Sequence, residues 1–386
     1  MNRLTLDLDA LRHNIRVVDK WVLAHNASWT MATKVLCGHK PSLLALQQLG
    51  IRSMADSRMD NLAAIRELPD KTETWYLRLP HMTVLPEVVR LSDVSLNSET
   101  EVIEALDAEA RRQNKIHRII IMLELGDLRE GVLPGSLMKF YERIFELPNI
   151  EVLGIGSNFG CLSGAIPNID QFAQLSLYHE LLELKFGRAL PLISAGTSAA
   201  LPLLRDGGLP RTINHFRIGE SVYLGSDIIN GGTLEGLRDD AITLEVEVAE
   251  VKEKGLRAMG ETTDMMPFEA LTPSETDPGQ RGYRAVVTIG QLDTIVSGLT
   301  PLKSEYELVG ASSDLSVVNL GGNPHGVKVG DTLKFRPSYG AFVRLMMDRY
   351  IDKVLLSRDE ARQALKDEVG EFDVPPILQG LEQPKS

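Results

Sequence analysis

Cysteine is almost absent: Cys37 and Cys161 are the only two in 386 residues, too few for a disulfide framework or a cysteine-built zinc site. That scarcity points to a reducing compartment, with the two thiols used as small buried hydrophobes or pocket lining. Long apolar runs are also missing, so no segment reads as a bilayer span. The opening stretch Met1-Asn2-Arg3-Leu4-Thr5-Leu6-Asp7-Leu8-Asp9 alternates like a strand and lacks the apolar core of a signal peptide. Positive charge is in deficit, with 41 Lys and Arg against 53 Asp and Glu and a formal net charge of -12. No basic stripe is visible, which excludes a nucleic-acid protein. Coiled-coil heptads, internal repeats and low-complexity tracts are lacking too. The expectation is a cytoplasmic protein without nucleic-acid or membrane partners.

Apolar residues are plentiful, at 43% hydrophobic and 24% charged, so the chain can bury a full core and is long enough for two domains. From residue 30 to about 225, short β-rich runs alternate with longer helix-compatible stretches, the pattern of successive βα units. Strands are predicted at Thr30–Val35, Ile51–Ala55, Thr74–Leu79, Asp93–Leu96, Arg118–Glu124, Glu151–Gly156, Leu190–Ser194 and Ile213–Gly219. Helices are predicted at Ser42–Leu49, Asp60–Leu68, Ser98–Gln113, Gly135–Leu147, Ile169–Phe186 and Ser198–Asp206. About eight parallel strands close a (β/α)8 TIM barrel. An open doubly wound sheet is the alternative, but it usually carries a glycine-rich phosphate loop after its first strand, and Lys34-Val35-Leu36-Cys37-Gly38 is no such loop.

Polar residues collect at or just past many different strand ends: Lys34, Asp56, Ser57, Arg78, Asn97, Arg129, Asn158, Thr197, Ser198 and Arg217. In a barrel these share one rim, where active sites form. Lys34 carries the most chemistry, because a shielded lysine at a strand end is a way to make an amine nucleophilic enough for a Schiff base. The ordinary use of such a lysine is a solvated surface residue. After Gly225 the character changes. Ala241–Val248 alternates cleanly, and β runs follow at Tyr283–Ile289, Tyr306–Gly310, Leu315–Leu320 and Thr332–Phe335, with no long amphipathic helix pattern until about Ser357. Residues 1–228 are therefore expected to form the barrel, with 1–15 able to pair with the second domain. Residues 229–386 are expected to form a mostly antiparallel β domain, with a polar loop or insertion at about 252–282.

Taken in order, Leu6–Asn14, Lys34–Gly38, Leu123–Gly131, Gly154–Asn158, Ser194–Ala199, Ile213–Glu220, Gly310–Asp314 and Ser338–Gly340 resemble the alanine racemase-like enzymes of PLP fold type III, most closely the ornithine racemase-like branch. The resemblance covers nearly the whole chain and rests on the order and spacing of motifs that are individually weak. It implies a pyridoxal 5'-phosphate-dependent amino-acid racemase that works as a homodimer with composite active sites.

On that resemblance, Lys34 carries the cofactor as a Schiff base and then acts as a base at the substrate Cα, for which its pKa must be lowered by desolvation and neighbouring cations. Arg129 matches an arginine near the cofactor's phenolic oxygen; otherwise it is a loop residue paired with Asp127 or Glu130. Arg217 matches the arginine facing the pyridine nitrogen. It stays charged and is a poor acid, so it leaves that nitrogen unprotonated and restrains side reactions. Its ordinary alternative is a surface pair with Glu220. Thr197, Ser198, Gly219 and Glu220 fall in the phosphate-binding motifs, where Thr197 and Ser198 are otherwise simple helix caps. Tyr339 matches a tyrosine that reaches the phosphate from the second domain. Asn158 stands where alanine racemases place a histidine against the ring. No metal ligand set is present. Two departures matter: the tyrosine that follows the cofactor lysine is replaced by the Cys37-Gly38 stretch, and no tyrosine aligns with the second base supplied by the partner subunit. Ser312, Ser313 and Asp314 match the segment that reaches into the neighbour's site and are candidate substrate contacts; Ser and Asp in such a run also commonly stabilise a turn. A fold-III decarboxylase or aldolase, or a cofactor-carrier protein built on the barrel alone, remain the competing functions.

Overall fold

A computed structural model describes residues 2–160, 164, 166–257, 268, 271, 277 and 279–357. The chain opens with β1 (Arg3–Asp7), which belongs not to the barrel but to the second sheet. Eight strands then close a parallel barrel: β2 (Ser28–Ala32), β3 (Ser53–Asp56), β4 (Glu73–Tyr76), β5 (Val94–Asn97), β6 (His117–Leu123), β7 (Ile150–Ser157), β8 (Leu192–Gly196) and β9 (His215–Ile218). Every strand expected from the alternation is present, displaced by a few residues. The largest difference is at β2, which stops at Ala32, so that Lys34 starts a 3-10 turn (Lys34–Leu36) beyond the strand rather than lying within it.

The helices around the barrel are α1 (Leu8–Ala24), α2 (Lys40–Gln48), α3 (Met59–Arg66), α4 (Leu85–Leu91), α5 (Thr100–Arg112), α6 (Leu137–Ile144), α7 (Ile169–Phe186), α8 (Leu201–Arg205) and α9 (Glu220–Leu224). The expected Ser198–Asp206 helix is a 3-10 turn over Ser198–Ala200 followed by α8. α1 shows how the outer layer is specified. Asp7 caps it by accepting from the Asp9 and Ala10 amides, and Leu11, Ile15, Val18 and Val22 form a buried stripe at helical spacing. Within that stripe Asn14 is fully buried. It donates to the Val222 and Arg238 carbonyls at 2.9 and 2.8 Å and accepts from the Arg238 amide at 2.7 Å, tying α1 to the last barrel helix and to the chain leaving it. Inside the barrel Ala55, Trp75, Leu96, Ile120 and Met122 pack as a separate apolar plug.

The second sheet comprises β10 (Ile242–Gly255), β11 (Arg281–Val287), β12 (Leu299–Pro301), β13 (Glu307–Ala311), β14 (Ser316–Asn319), β15 (Thr332–Pro337) and β16 (Asp352–Leu356), joined by β1. Its pairings are antiparallel except β1 with β16. Gly255 pairs with Arg281, so the edges of the expected 252–282 loop are sheet; most of its interior lies outside the described residues, as do Cys161 and the region beyond Ser357. The expectation of no helix before Ser357 is corrected by α10 (Tyr339–Met347), capped by Ser338 and packed through Ala341, Phe342, Leu345 and Met346. This helix docks on the Lys34 turn. The Cys37 thiol lies 3.8 Å from the Val343 carbonyl, and Cys37 adopts a left-handed conformation (φ 50°) to close the turn there.

Candidate active site

One cavity of about 940 Å³ opens at the C-terminal rim of the barrel. Its wall includes Lys34, Arg129, Asn158, Thr197, Ser198, Arg217, Gly219, Glu220 and Tyr339, contributed by β9 itself, by the segments after β2, β6, β7, β8 and β9 and by α10. The sequence separations run to 305 residues, yet the topology brings all nine to one place. Ser57 and Arg78 also reach the wall. Asp56 and Asn97 do not. Asp56 is fully buried and accepts from Thr33 Oγ1, Asn61 Nδ2 and the Ser57 and Arg58 amides at 2.7 to 3.1 Å. Burial raises its pKa, against the pull of those bonds. Asn97 turns back onto Ser95.

Arg217 is the best-defined charge in the site. It is buried, and its guanidinium donates to the Ser194 carbonyl at 2.6 Å, to Ser194 Oγ, to the Ser157 carbonyl at 3.0 Å and to Asn158 Oδ1 at 2.7 Å. The surface pair with Glu220 is not formed. Asn158 passes the connection on by donating to Glu130 Oε1 at 2.5 Å, and Glu130 is the acceptor for Arg129. The 124–131 loop that presents Arg129 is folded around the Glu124 carboxylate, which accepts from the Gly126, Leu128 and Arg129 amides. Arg129 thus lines the cavity and pairs with Glu130, with Asp127 3.8 Å away.

Beneath Arg217 the barrel holds a buried polar column. Ser194 Oγ meets His215 Nδ1 at 2.8 Å, His215 Nε2 meets Thr30 Oγ1 at 3.0 Å, Thr30 meets Ser53 Oγ at 2.8 Å, and Ser53 donates to Glu73 at 3.0 Å. Glu73 can only accept, so Ser53 gives its proton to it, Thr30 donates to Ser53, and the imidazole carries its proton on Nε2 for Thr30 to accept, leaving Nδ1 to accept from Ser194. His215 stacks on Trp75 with centroids 4.4 Å apart. Burial, with Arg217 adding to it, lowers its pKa to about 3.

At the β8–β9 side, Thr197 Oγ1 accepts from the Ala199 amide, while Ser198 Oγ accepts from the Gly219 and Ser221 amides at 3.4 Å. A Cβ on Gly219 would stand 2.8 Å from the Ala32 carbonyl, so glycine is required for β9 to approach β2. Tyr339, at the first position of α10, is half-buried. Burial and then the Glu220 carboxylate raise its pKa, so it is a neutral phenol. Glu220 is itself raised by burial, with Lys34 opposing. Lys34 is exposed to the cavity.

Ser312, Ser313 and Asp314 lie away from this cavity, in the turn between β13 and β14, where Ser312 Oγ accepts from the Leu315 amide and Ser313 donates to Asp314. Sequence reasoning missed Arg58 and Glu130 on the wall and His215 below it. Arg58 and Glu130 each adjoin a residue already read as rim-facing, which is the signal that could have found them. Among the described residues no metal-binding cluster is present, and no helix is long and apolar enough to cross a membrane.

A closed parallel barrel with a lysine beyond its first strand, an arginine rising from its last and a β domain covering the rim is the architecture of the fold-type-III amino-acid racemases. Residues 6–227 match the family model described as alanine racemase, N-terminal domain, and the chain belongs to that family as an amino-acid racemase. It is 34% identical to an ornithine racemase from Acetoanaerobium sticklandii over 92% of this chain and 99% of that one. It is 32% identical to a lysine racemase from Thermotoga maritima over 91% and 98%. Among solved structures, an alanine racemase from Corynebacterium glutamicum superposes with a TM-score of 0.69 at 20% identity, covering 92% of this chain and 99% of that one. An alanine racemase from Bartonella henselae with covalently bound pyridoxal phosphate gives 0.68 at 17% identity, covering 92% and 99%.

Proposed function

We propose that the chain is a pyridoxal 5'-phosphate-dependent racemase of a basic amino acid, ornithine or lysine, acting in the cytoplasm as a homodimer with composite sites. The observation that carries the cofactor in this reading is the charge of the cavity, while the basic substrate rests on the likeness to an ornithine racemase and a lysine racemase. In a chain of net charge -12, its wall holds Lys34, Arg58, Arg78, Arg129 and Arg217 against only Glu130 and Glu220. Such a wall suits anionic groups, a phosphate among them. The hydroxyls of Thr197, Ser198 and Tyr339 and the close approach at Gly219 would hold that phosphate, Lys34 would hold the aldehyde, and Arg217 would face the ring nitrogen.

When bound, the cofactor acidifies the Cα–H bond of an amino acid by drawing off its electrons. Lys34, on one wall, removes or returns the Cα proton at its Nζ. Arg217 cannot serve as an acid at ordinary pH, and its fixation by Ser194, Ser157 and Asn158 keeps its charge at one position. A decarboxylase would favour a carboxylate there. Racemisation also needs a proton donor on the face opposite Lys34, and the Ser312–Asp314 turn of a second copy is the candidate for contacting the substrate from that side. The same turn offers a carboxylate for the substrate's distal ammonium, since Glu130 is engaged by Arg129 and Asn158. The cofactor-carrier reading is disfavoured by the second domain, which brings Tyr339 into the wall.

The test is to record the visible Schiff-base band with and without Lys34→Ala, then to incubate the protein with L-amino acids in deuterated water. Cα exchange and the D-enantiomer should appear together, most strongly for ornithine or lysine, and vanish in the variant. Exchange without inversion would remove the racemase mechanism; absence of the band would remove the cofactor.

A further inference from the structure

Two of the five cavity cations are accounted for by nothing described so far. Arg58, at the cap of α3, and Arg78, just beyond β4, both line the wall and are exposed to it. Among the described residues neither guanidinium has an ion-pair or hydrogen-bond partner. The nearby carboxylate, Asp56, is unavailable: its oxygens are occupied by Thr33, Asn61 and two main-chain amides. Asp56 instead holds both arginines in place through the backbone, accepting from the Arg58 amide and offering its own carbonyl to the Leu77 amide at 2.9 Å. The two charges also converge, since both act to lower the pKa of the buried Tyr76 phenol, which burial raises overall. By contrast Arg129 is paired with Glu130, and Arg217 is held by acceptors on β7 and β8.

We propose that Arg58 and Arg78 form a carboxylate subsite that takes the α-carboxylate of the amino acid. The barrel order supports this division of labour. Thr197 and Ser198 follow β8, which stands across the barrel from β4, so a phosphate held there is on the far side from Arg78. Lys34 follows β2, which lies between β9 and β3; with the phosphate held on the β8–β9 side, the β3 side, where Arg58 stands, is the one left for the carboxylate of a substrate whose Cα is within reach of Lys34. Two guanidiniums there bind the charged carboxylate and repel a side-chain ammonium, which leaves the basic side chain pointing elsewhere in the cavity. They also stabilise the charge that loss of carbon dioxide would have to remove, which opposes decarboxylation.

The inference rests on the proposed racemase reading and is tested so that the two can fail separately. Holoenzymes carrying Arg58→Gln, Arg78→Gln and both changes are compared with the parent. KM for ornithine or lysine should rise about tenfold or more for each change and about a hundredfold for the pair, from loss of charge-assisted bonds, with cofactor content and thermal midpoint unchanged. Inhibition by 1,4-diaminobutane, which has the amines but no carboxylate, should not weaken, since removing the two guanidiniums only relieves repulsion of its ammonium groups. Propanoate, which has the carboxylate but no amine, should bind the parent holoenzyme and not the double variant. Arg78→Lys, which keeps charge but loses the planar fork, should give an intermediate KM and serves if the glutamine variant misfolds. An unchanged KM in the double variant, equal weakening of the diamine, or propanoate binding that survives would overturn the subsite. If the parent inverts no amino acid but propanoate binding depends on both arginines, the subsite stands and the racemase reading falls.

Discussion

Replacing His215 with glutamine should change how the protein responds to acid more than how stable it is at neutral pH. The imidazole is fully enclosed between Ser194, Thr30 and Trp75, with Arg217 close above it. A second proton would have no acceptor, because Ser194 already directs its hydroxyl at Nδ1 while receiving Arg217. Burial, with the Arg217 charge adding to it, lowers the folded pKa from 6.5 to about 3. Between those values the unfolded chain binds the proton and the folded chain does not, so stability rises with pH through that window and is lost as pH falls below about 6.5. At about 1.4 kcal/mol per pH unit, going from pH 7 to pH 5 costs the parent roughly 2 kcal/mol through this residue alone. The glutamine variant lacks that term. It loses the stack and part of the hydrogen-bonded column, so urea unfolding at pH 7 should show it less stable by about 1–3 kcal/mol. At pH 5 the gap should shrink by about 2 kcal/mol. His117, lowered to about 4 by burial, titrates in both proteins and cancels. A gap that stays constant from pH 7 to pH 5 would refute the reasoning.

Gly219→Ala would press a methyl against the Ala32 carbonyl, so the thermal midpoint should drop by the equivalent of about 1–3 kcal/mol and cofactor occupancy should fall with it. Asn14→Ala strands two buried carbonyls and an amide and should cost about 2–4 kcal/mol in urea unfolding, with no change in the substrate preference of the remaining folded enzyme. Glu220 has a raised folded pKa, so the proton is held more tightly in the folded state; its contribution is present below about pH 4.5 and is lost as pH rises towards the folded value. Glu220→Gln should therefore gain on the parent in thermal stability between pH 4 and pH 7, and a gain of the opposite sign would contradict the burial of that carboxylate.

The barrel was legible because its strands are short β-rich runs separated by amphipathic helices, a signal contained in windows of ten to twenty residues. What was not legible is set by contacts between distant segments. β2 reads as continuing to Val35, yet it ends at Ala32, because the next residues turn away to receive α10 from 300 residues later. α10 itself, Tyr-Gly-Ala-Phe-Val-Arg-Leu-Met-Met, has one charged residue, Arg344, and a glycine in its first turn, so its buried stripe of Ala341, Phe342, Leu345 and Met346 does not stand out from its apolar neighbours in the sequence. α4 is only seven residues long. The polar rim residues were found by position, but position does not say which of them face the cavity. Asp56 and Asn97 stand at the ends of their strands as Arg78 stands just past its own, and only the packed structure shows that the first two turn inward to neutral partners. The column from Glu73 to Arg217 is wholly non-local, built from Ser53, Thr30, His215 and Ser194, none remarkable in its own segment.

That column bears on why the site can hold a cation without an anion beside each one. Every bond from Arg217 down to Glu73 runs in one direction: Arg217 donates to Ser194, Ser194 to His215, His215 to Thr30, Thr30 to Ser53 and Ser53 to Glu73. The terminal carboxylate accepts at the far end, where Arg118 also meets it at 3.1 Å. Reversing any member would leave two donors or two acceptors face to face, so the arrangement fixes one tautomer and one orientation of the guanidinium. A charge held by oriented neutral dipoles is not cancelled locally, as it would be by an adjacent carboxylate. It is left to act on whatever occupies the cavity, which is what a residue must do if it is to set the protonation of a bound ring nitrogen.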